Sequence, residues 1–471
     1  MTLAVSRLAK HLSDGNEPSP VRVRHVIRGQ VVDGASRDYR YRDLDAPFTT
    51  PELVLGDLVW PRPDAGPAFQ CPLKEVIAFL LETGRRLDFE RNPLLREACA
   101  AYKQVNVLGS ALVEDSYRAL ATFYTKDIME EEVETALGSL DDGWRKIERR
   151  NGEVCYVRPY PVRIVHIMAG NAPPLASTSI LRAALSRGVH LLKVPSNDLF
   201  TTQAVLETMS QIDAAHPVVR SFSAVYWRGG ETAVESALYR PQFFDKIVAW
   251  GGGDSISHVQ KYMSPGLELI SMDPKTSISV IGQEAFVDRN VLSQVAAAAA
   301  RDVGAQEGCA NSRVHFVEAS VENVDLYCAE LLAQLNVLSK KAAGGRSTPP
   351  DIREEVDALR LLEPHYRVWG CYDGTGLVVR SDRPVEFSPI ARTVNVVPVT
   401  RLLDAARYVN VATQSVGVYP PSRRAEVRDS YCAAGAQRTM TLGRTSMMGF
   451  GRPHDGFHPL YRMVRWVLDE G

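Results

Sequence analysis

Hydrophobic and polar positions follow different periods in successive parts of this chain. In residues 21–32, VRVRHVIRGQVV, apolar and polar side chains alternate, which predicts an antiparallel strand or hairpin. Between residues 74 and 140 the apolar side chains recur at helical spacing and are interrupted at proline. Helices are therefore predicted over 74–87, 93–105 and 116–140.

From Val162 onward, short apolar runs alternate with helical segments. Strands are predicted over 161–170, 189–196, 222–230 and 244–256. Helices are predicted over Ser177–Arg187, Gln203–Ile212, Thr232–Tyr239 and 256–263. This alternation, with turn residues at the strand ends, is typical of a doubly wound parallel sheet, which binds ligands at the carboxyl ends of its strands. Residues 342–351 are predicted to be a loop, and no internal repeat is evident.

Composition narrows the function classes. The 471 residues exceed the usual size of one core, so two or more domains are expected. A formal net charge of -2 and a pI near 6.6 predict no nucleic-acid partner and no membrane surface. The sequence shows no apolar run of membrane-spanning length and no signal-peptide pattern near residue 1. Seven scattered cysteines without a CxxC pair predict a cytoplasmic protein with reduced thiols and no metal site.

One cysteine has the setting of a nucleophile. Cys309 follows Gly308 in the segment 306–313, QEGCANSR, after the alanine-rich run Val295–Ala300, which is predicted to be a buried helix. A thiol presented on such a turn can attack a carbonyl carbon once its proton is removed. The alternative is a small buried hydrophobic residue, which is the commoner role of a lone cysteine.

Three turns at strand ends carry candidate ligand-binding groups. The run Gly251-Gly252-Gly253 allows a phosphate to approach backbone N–H groups at a helix N-terminus, although such turns are often purely structural. Lys193, which leaves a buried strand, can meet ribose hydroxyls or phosphate, or it can be simply solvated. Asn171, in the turn of MAGNAPP, is either an amide donor for an oxyanion or a turn-forming residue.

In chain order, these features resemble the aldehyde dehydrogenase superfamily, and within it the LuxC-type acyl-CoA reductases. The segments that carry the resemblance are MAGNAPP, LLKVPSND, the lysine strand DPKTSISVI, QEGCANSR and the ending GFGRPHDGFHPLYRMVRWV. The resemblance extends from about residue 75 onward. It implies an α/β fold with a doubly wound cofactor-binding domain, an α/β catalytic domain and a small β arm through which subunits form a homo-oligomer.

The domain boundaries that follow are predictions. An N-terminal β-rich extension covers 1–70, and the nicotinamide cofactor-binding domain covers 71–148 and 162–275. The catalytic domain covers 276–450, and the oligomerisation arm covers 149–161 and 451–471. His454 and Asp455, in the ending, have no assigned role.

The resemblance also implies a role for each site residue. Cys309 is expected to be the nucleophile, and the Asn171 amide with the Cys309 N–H is expected to form the oxyanion hole. Lys193 and Ser196 are expected to hold the adenosine ribose, and Gly251 and Gly252 the pyrophosphate. NAD-preferring members carry an acidic residue where this chain has Ser196. Together with the positive charges of Lys193 and Arg228, the latter followed by Gly229, this predicts NADPH as cofactor.

Two departures from the family pattern bear on the reaction. Ser271 replaces the glutamate that activates water in acid-producing aldehyde dehydrogenases, and the stretch 392–395, RTVN, lacks a second glutamate. The predicted reaction is therefore NADPH-dependent reduction of an acyl thioester, either acyl-CoA or an acyl-carrier protein, to an aldehyde through a cysteine acyl-enzyme. Two alternatives stay open: an aldehyde-oxidising dehydrogenase, and a cysteine-dependent acyltransferase without hydride chemistry. A non-catalytic binding protein requires Cys309, Asn171 and the glycine turn to coincide by chance.

Overall fold

Strands and helices alternate along most of the chain. The structure, a computed structural model, describes residues 20–41, 46–106, 109–141, 143–304, 308–341, 347–447 and 449–470. The chain forms two compact units, the first of residues 1–106, 114–273 and 449–471 and the second of residues 107–113 and 274–448. Within the described ranges, no helix is both long enough and apolar enough to cross a lipid bilayer.

The elements are numbered in chain order. The strands are β1 (Val21–Arg22), β2 (His25–Ile27), β3 (Gln30–Val32), β4 (Arg37–Arg40), β5 (Pro47–Thr50), β6 (Arg145–Glu148), β7 (Val154–Pro161), β8 (Arg163–Ile167), β9 (Val189–Lys193), β10 (Phe222–Val225), β11 (Lys246–Trp250), β12 (Glu268–Met272), β13 (Thr276–Ile281), β14 (Ser312–Glu318), β15 (Arg367–Cys371), β16 (Gly376–Arg380), β17 (Thr393–Val399), β18 (Thr413–Tyr419), β19 (Arg438–Thr441) and β20 (Val464–Glu470). The helices are α1 (Leu55–Leu58), α2 (Leu73–Arg86), α3 (Pro93–Val105), α4 (Ser110–Arg118), α5 (Lys126–Leu137), α6 (Pro174–Ser186), α7 (Thr201–Asp213), α8 (Pro217–Arg220), α9 (Thr232–Leu238), α10 (Gly253–Gln260), α11 (Arg289–Val303), α12 (Val321–Lys341), α13 (Pro350–Arg360), α14 (Arg424–Ala434) and α15 (Pro459–Arg462).

The first unit is built on a seven-stranded sheet with the order β12-β11-β8-β9-β10-β2-β3. Strands β8 to β12 are mutually parallel, and their central residues are buried, as the continuous apolar runs of the sequence predict. The hairpin predicted over 21–32 is confirmed as β2 and β3, and it extends this sheet because β2 pairs antiparallel with β10. Chain order reverses between β8 and β11, so this is the position at which a ligand crevice is expected.

Several predicted elements have other bounds in the structure, among them a helix, a strand and a loop. The helix predicted over 116–140 is interrupted, because the Thr125 hydroxyl accepts the N–H of Ile128 and caps a new helix, α5. The strand predicted over 244–256 ends at Trp250, and α10 begins at Gly253. Of the loop predicted over 342–351, residues 342–346 lie outside the described residues, and α13 already begins at Pro350.

The second unit is built on another seven-stranded sheet, with the order β15-β16-β17-β14-β13-β18-β19. Its pairings are parallel except for β15 with β16. Small side chains on α11, among them Ala296 and Ala299, are fully buried in one core cluster with Tyr327 and Leu331 of α12. The alanine-rich run is therefore a buried helix, as predicted, and its small residues let α12 approach closely.

Two smaller sheets complete the first unit. Strands β1, β5 and β4 form one of them, and β20, β7 and β6 form the other in an antiparallel arrangement. The segment leading to β20 is held by Glu132, whose carboxylate pairs with Arg182 at 2.8 Å and accepts the Gly451 N–H at 2.6 Å. Both charged side chains are buried, so losing either partner would leave an uncompensated charge in the interior.

Candidate active site

Four turns of the first unit meet at one edge of its sheet. Strands β8, β9, β10 and β11 are parallel neighbours in the order β11-β8-β9-β10, so their carboxyl ends lie on the same side. Asn171 follows β8, Lys193 ends β9, Arg228 follows β10 and Gly251 follows β11. The structure therefore brings the residues predicted to bind the cofactor and the Asn171 turn to the same edge of the sheet. They lie on both sides of the point where the strand order reverses.

The Asn171 turn is fixed by contacts on its backbone. The Met168 N–H donates to the Lys193 carbonyl at 3.1 Å, and the buried Tyr102 hydroxyl donates to the Gly170 carbonyl at 3.2 Å. A Cβ at Gly170 would lie 2.0 Å from Oδ1 of Asn197, so any other residue there would require the Asn197 side chain to move. These contacts hold the peptide before Asn171, whose own side chain is exposed.

Lys193 has an unusual electrostatic setting for a strand-end lysine. Its Nζ lies 5.6 Å from the ring centre of Trp227 and 5.9 Å from that of Tyr226. Burial lowers the pKa of Lys193 to about 8, while the carboxylates of Glu235 and Glu231 act in the opposite direction. Ser196 is partly exposed in the turn that follows.

A buried carboxylate that the sequence pattern did not single out organises the neighbouring turn. Glu235 accepts hydrogen bonds from Trp227 Nε1 at 3.3 Å, Gly230 N–H at 3.2 Å and Tyr262 OH at 3.1 Å, and it lies 2.7 Å from His258 Nε2. Burial alone would raise the pKa of Glu235, but these hydrogen bonds lower it below its ordinary value. An ionised Glu235 thus ties α9 and α10 to the turn after β10.

Arg228 lies in that same turn, and its side chain is exposed. The Arg228 N–H donates to Oε1 of Glu231 at 2.8 Å, and Arg37 lies 3.5 Å from the other oxygen of the same carboxylate. The negative charge of Glu231 is therefore shared with two groups of the chain itself.

The glycine turns after β10 and β11 leave open space where side chains would be. A Cβ built at Gly229, Gly252 or Gly253 meets no atom within 4 Å, and Gly252 has an ordinary φ of -70°. Neither internal packing nor backbone strain requires glycine at these positions, and Gly252 caps the N-terminus of α10. At Gly251, by contrast, a Cβ would lie 2.8 Å from Cβ of Ser255. We call the open turn of Gly251, Gly252 and Gly253 the glycine cradle. It fits the pyrophosphate of a dinucleotide, which needs close access to backbone N–H groups.

Cys309 lies in the second unit, on a turn that enters β14. Its side chain is partly exposed, and the turn closes with a hydrogen bond from the Asn311 N–H to the Gly308 carbonyl at 3.1 Å. The buried Asn311 side chain donates to the Val303 carbonyl at the end of α11, at 2.6 Å. Gln306 and Glu307 of the sequence motif lie outside the described residues.

The other thiols differ from Cys309 in exposure. Cys71, Cys99, Cys155 and Cys328 are buried, while Cys371 and Cys432 are exposed, and the described residues contain no disulfide. Burial raises the pKa of Cys99 to about 11 and raises that of Cys328 as well. Since the thiolate is the nucleophile, these two buried thiols are poor candidates for covalent chemistry.

The two positions at which the family pattern has glutamate carry no general base here. Ser271 lies in β12, partly buried, opposite Ala249 of β11. In the second stretch, residues 392–395, Arg392 is buried, and its guanidinium donates to the Ser339 hydroxyl at 2.8 Å and to the Gly374 carbonyl at 3.1 Å. The stretch that begins at Arg392 is thus part of the hydrogen-bonded interior of the second unit.

The C-terminal turn packs beside the glycine turn of the first unit. The His454 ring lies 5.6 Å from the ring of Trp250 in an edge-to-face arrangement, and Trp250 directly precedes Gly251. His454 also forms an antiparallel bridge with Phe457, while Asp455 has a φ of 53°. These contacts assign His454 a packing role next to the glycine turn.

A cluster of metal-ligand types lies elsewhere in the first unit. One ligand atom from each of Cys71, Glu75 and His216 falls within 4.8 Å of the others. His216 Nδ1 accepts the Val218 N–H at 3.2 Å, so a neutral ring carries its proton on Nε2, which faces Glu75 at 3.7 Å. Metal binding at Nε2 would move that proton to Nδ1, against the Val218 N–H, so this arrangement disfavours a metal ion.

The first unit is doubly wound and has a glycine turn, and the second unit presents a cysteine on a turn. These features are typical of the aldehyde dehydrogenase fold, and solved structures agree with this fold class. Lactaldehyde dehydrogenase from Escherichia coli is similar with a TM-score of 0.71 at 14% identity, covering 96% of this chain and 99% of that one. NADP-dependent glyceraldehyde-3-phosphate dehydrogenase from Bacillus halodurans C-125, complexed with NADP, is similar with a TM-score of 0.66 at 12% identity. The match covers 95% of this chain and 99% of that one. At such identities these likenesses show the fold alone.

The chain belongs to the acyl-CoA reductase (LuxC) family, which it matches over residues 68–466. A long-chain acyl-protein thioester reductase of Vibrio harveyi is 27% identical over 411 residues, 84% of this chain and 83% of the relative. The protein of the same name from Photobacterium phosphoreum is 28% identical over 461 residues, 94% and 90% of the two chains. The predicted family, fold class and oxidoreductase character are therefore confirmed.

Proposed function

We propose that this protein reduces an acyl thioester, carried by coenzyme A or by an acyl-carrier protein, to an aldehyde with NADPH, through an acyl-enzyme on Cys309. The observation that carries the proposal is the partly exposed Cys309 thiol on an anchored turn, in a chain of the acyl-CoA reductase family. Relatives named long-chain acyl-protein thioester reductase support a thioester as the substrate class.

The first half of the reaction exchanges one thioester for another. The Cys309 thiolate attacks the acyl carbonyl carbon, and the carbonyl oxygen becomes an oxyanion that the Asn171 amide and the Cys309 N–H stabilise. The intermediate then collapses with cleavage of the bond to the carrier sulfur, which leaves as a thiolate. Because a thiolate replaces a thiolate, this exchange is nearly balanced in energy and requires no strong base.

The second half requires a hydride donor and the exclusion of hydrolysis. Gly251 and Gly252 would hold the pyrophosphate of a nicotinamide cofactor, and Lys193 and Ser196 its adenosine ribose. When bound, the reduced nicotinamide supplies a hydride to the acyl carbon, and cleavage of the C–S bond then releases aldehyde and returns the Cys309 thiolate. Ser271 cannot take a proton from water, so the acyl-enzyme persists until it is reduced.

The direct test is a reductase assay on the full chain. The protein is incubated with NADPH and with acyl-CoAs or acyl-carrier proteins that carry acyl chains of different length. It should consume NADPH, measured by the loss of NADPH absorbance, and form aldehyde, measured by carbonyl trapping. Acid formed without loss of NADPH, or aldehyde oxidation as the favoured direction, would contradict the proposal.

Charge and space at the end of β9 support NADPH as the cofactor. Ser196 offers a hydroxyl and leaves room for a 2′-phosphate, while Lys193 and the exposed Arg228 contribute positive charge at the same sheet edge. Glu231 contributes negative charge, which Arg37 at 3.5 Å and the Arg228 N–H offset.

Substituting Ser196→Glu should weaken NADPH binding about 10- to 100-fold and leave NADH binding nearly unchanged, because a carboxylate repels the 2′-phosphate by on the order of 1 to 3 kcal/mol. Fluorescence titration with both cofactors measures the change. Ser196→Gln, of the same size but uncharged, is the matched control and should lose much less affinity. Equal wild-type affinities for the two cofactors would refute the role given to Ser196.

Substituting Ser271→Glu should introduce hydrolysis of the acyl-enzyme, because a carboxylate at this position can activate water. General-base assistance contributes roughly 100-fold or more in a well-formed site, and we expect at least about a tenfold rise in acid release without NADPH consumption. Ser271→Gln has the same size but no basic group, so it should hydrolyse at the wild-type rate. An unchanged rate in a folded glutamate variant would show that another feature excludes water.

We also propose a homo-oligomer that assembles through the sheet β20-β7-β6. Among the described strands, β6 and β20 each pair only with β7, so both are edges of this sheet, and all four residues of β6 are exposed. Apolar side chains are exposed on or beside this sheet, namely Trp144, Ile147, Tyr156 and Leu468. An unpaired strand edge with apolar neighbours favours pairing with a second copy.

A further inference from the structure

Ser277, on the strand next to the Cys309 turn, makes two hydrogen bonds to that turn. Ser277, the second residue of β13, is fully buried. Its N–H donates to the Asn311 carbonyl at 3.1 Å, and its hydroxyl donates to the Cys309 carbonyl at 2.8 Å. One residue therefore fixes both ends of the tripeptide Cys309-Ala310-Asn311, although 32 positions separate Ser277 from Cys309.

Regular strand pairing is broken at the same level. Between β13 and β14, Ser277 is opposite Ser312 but Ile278 is opposite Val314, so one extra residue is accommodated on β14. Between β13 and β18 the register also shifts, from Thr276 with Thr413 to Ile278 with Val416. Bulges of this kind often redirect a strand next to a functional site. Both register shifts lie at the level of the sheet where the Ser277 hydroxyl reaches the Cys309 turn.

The neighbouring serine shows that the contact is specific to Ser277. Ser279, two residues further on the same strand, is also fully buried, but its hydroxyl bonds to the Ser312 hydroxyl at 2.8 Å. The two serines lie on the same face of β13, and each makes one side-chain hydrogen bond, which is partly buried for Ser277 and buried for Ser279. Of these two bonds, the one made by Ser277 ends on the backbone of Cys309.

The consequence of the Ser277 bond is geometric. The Cys309 carbonyl belongs to the peptide plane directly after the nucleophile, and holding that plane limits rotation about the Cys309 Cα–C bond. The Asn311 side chain holds the other end of the turn through Val303. An attacking sulfur that must reach a carbonyl carbon along one direction gains from such restriction, because small misplacements lower rates strongly.

We propose that Ser277 is a positioning residue for the nucleophile: its hydroxyl holds the Cys309 peptide so that the thiolate is aligned for acyl transfer. This inference rests on the proposed role of Cys309 as the acylated residue. Ser277 contacts neither substrate nor cofactor in this account, and it does not set the ionisation of the thiol.

The test compares three variants of the full chain, Ser277→Ala, Ser277→Thr and the matched control Ser279→Ala. Rapid mixing with an acyl-CoA in the absence of cofactor gives the rate constant for acylation of Cys309 and its dependence on acyl-CoA concentration. Alkylation by iodoacetamide across a range of pH, followed by mass spectrometry of the Cys309 peptide, gives the ionisation midpoint of the thiol. The exposed Cys371 and Cys432 serve as internal references.

Ser277→Ala should slow acylation at saturating acyl-CoA on the order of 10- to 100-fold, with little change in half-saturation and an unchanged alkylation midpoint. Ser277→Thr, which retains the hydroxyl, should acylate close to the wild-type rate. Ser279→Ala should acylate at the wild-type rate although it also loses a buried hydrogen bond.

Three outcomes would overturn the inference. If Ser277→Ala acylates as fast as wild type, or is slowed no more than Ser279→Ala, the Ser277 hydroxyl does not position the nucleophile. If the alkylation midpoint shifts with the acylation rate, Ser277 acts on thiol ionisation instead. If wild-type protein forms no adduct on Cys309, the proposed function fails as well, and this result is distinct from the other two because it concerns the unmodified chain.

Discussion

Replacing Cys309 by alanine should abolish NADPH-dependent aldehyde formation, with a loss on the order of 10⁴-fold or more, because covalent catalysis disappears with its nucleophile. The fold should survive, since the substitution removes one sulfur atom from a partly exposed side chain. Measuring NADPH consumption and aldehyde release, together with the thermal unfolding midpoint, separates lost chemistry from lost structure.

The matched controls are Cys371→Ala and Cys432→Ala, which remove the two other exposed thiols. Both variants should retain wild-type activity. Activity that persisted in the Cys309 variant, or that disappeared with either control, would assign the acyl group to a different residue.

Replacing Asn171 by alanine should lower kcat by about two to three decades with little change in KM. Its side-chain amide is proposed to donate to the oxyanion, and one such donor contributes about 3 to 4 kcal/mol to the transition state. The exposed side chain makes a large stability loss unexpected. Steady-state kinetics with a saturating acyl thioester measure the effect.

Asn151→Ala is a suitable control, because Asn151 is an exposed asparagine whose side chain accepts the Glu153 N–H in the turn between β6 and β7. It should leave kcat unchanged. An Asn171 variant with wild-type kcat would show that the amide does not meet the developing charge, and that the turn is structural.

Much of the first unit could be predicted from periodicity because its strands are buried on both faces and are separated by helices of ordinary length. The runs before Asn171, Lys193 and Gly251 were recognisable as strands for this reason. The pairing of β2 with β10 could not be predicted, because it joins residues about 200 positions apart and leaves no local pattern in the sequence. The interruption before α5 had a local signal, Thr125 as a helix cap, that a continuous apolar pattern concealed.

The candidate site also has a part that the sequence predicts and a part that it does not. The glycine run and the cysteine motif are visible in the sequence, and open space at Gly252 leaves its pyrophosphate role a prediction. Supporting contacts were not predictable. Glu235 has partners in the turn after β10, in α10 and just after α10, and Ser277 of β13 reaches Cys309 in the turn before β14, so their roles depend on tertiary placement.

Mapping the acyl-enzyme tests the role of Cys309 most directly. The full chain is mixed with a long-chain acyl-CoA without cofactor, digested, and analysed by mass spectrometry. The prediction is a single acyl adduct on the Cys309 peptide, which disappears with release of aldehyde when NADPH is added. An adduct on another cysteine, or turnover to aldehyde with no adduct at any cysteine, would contradict the proposed mechanism.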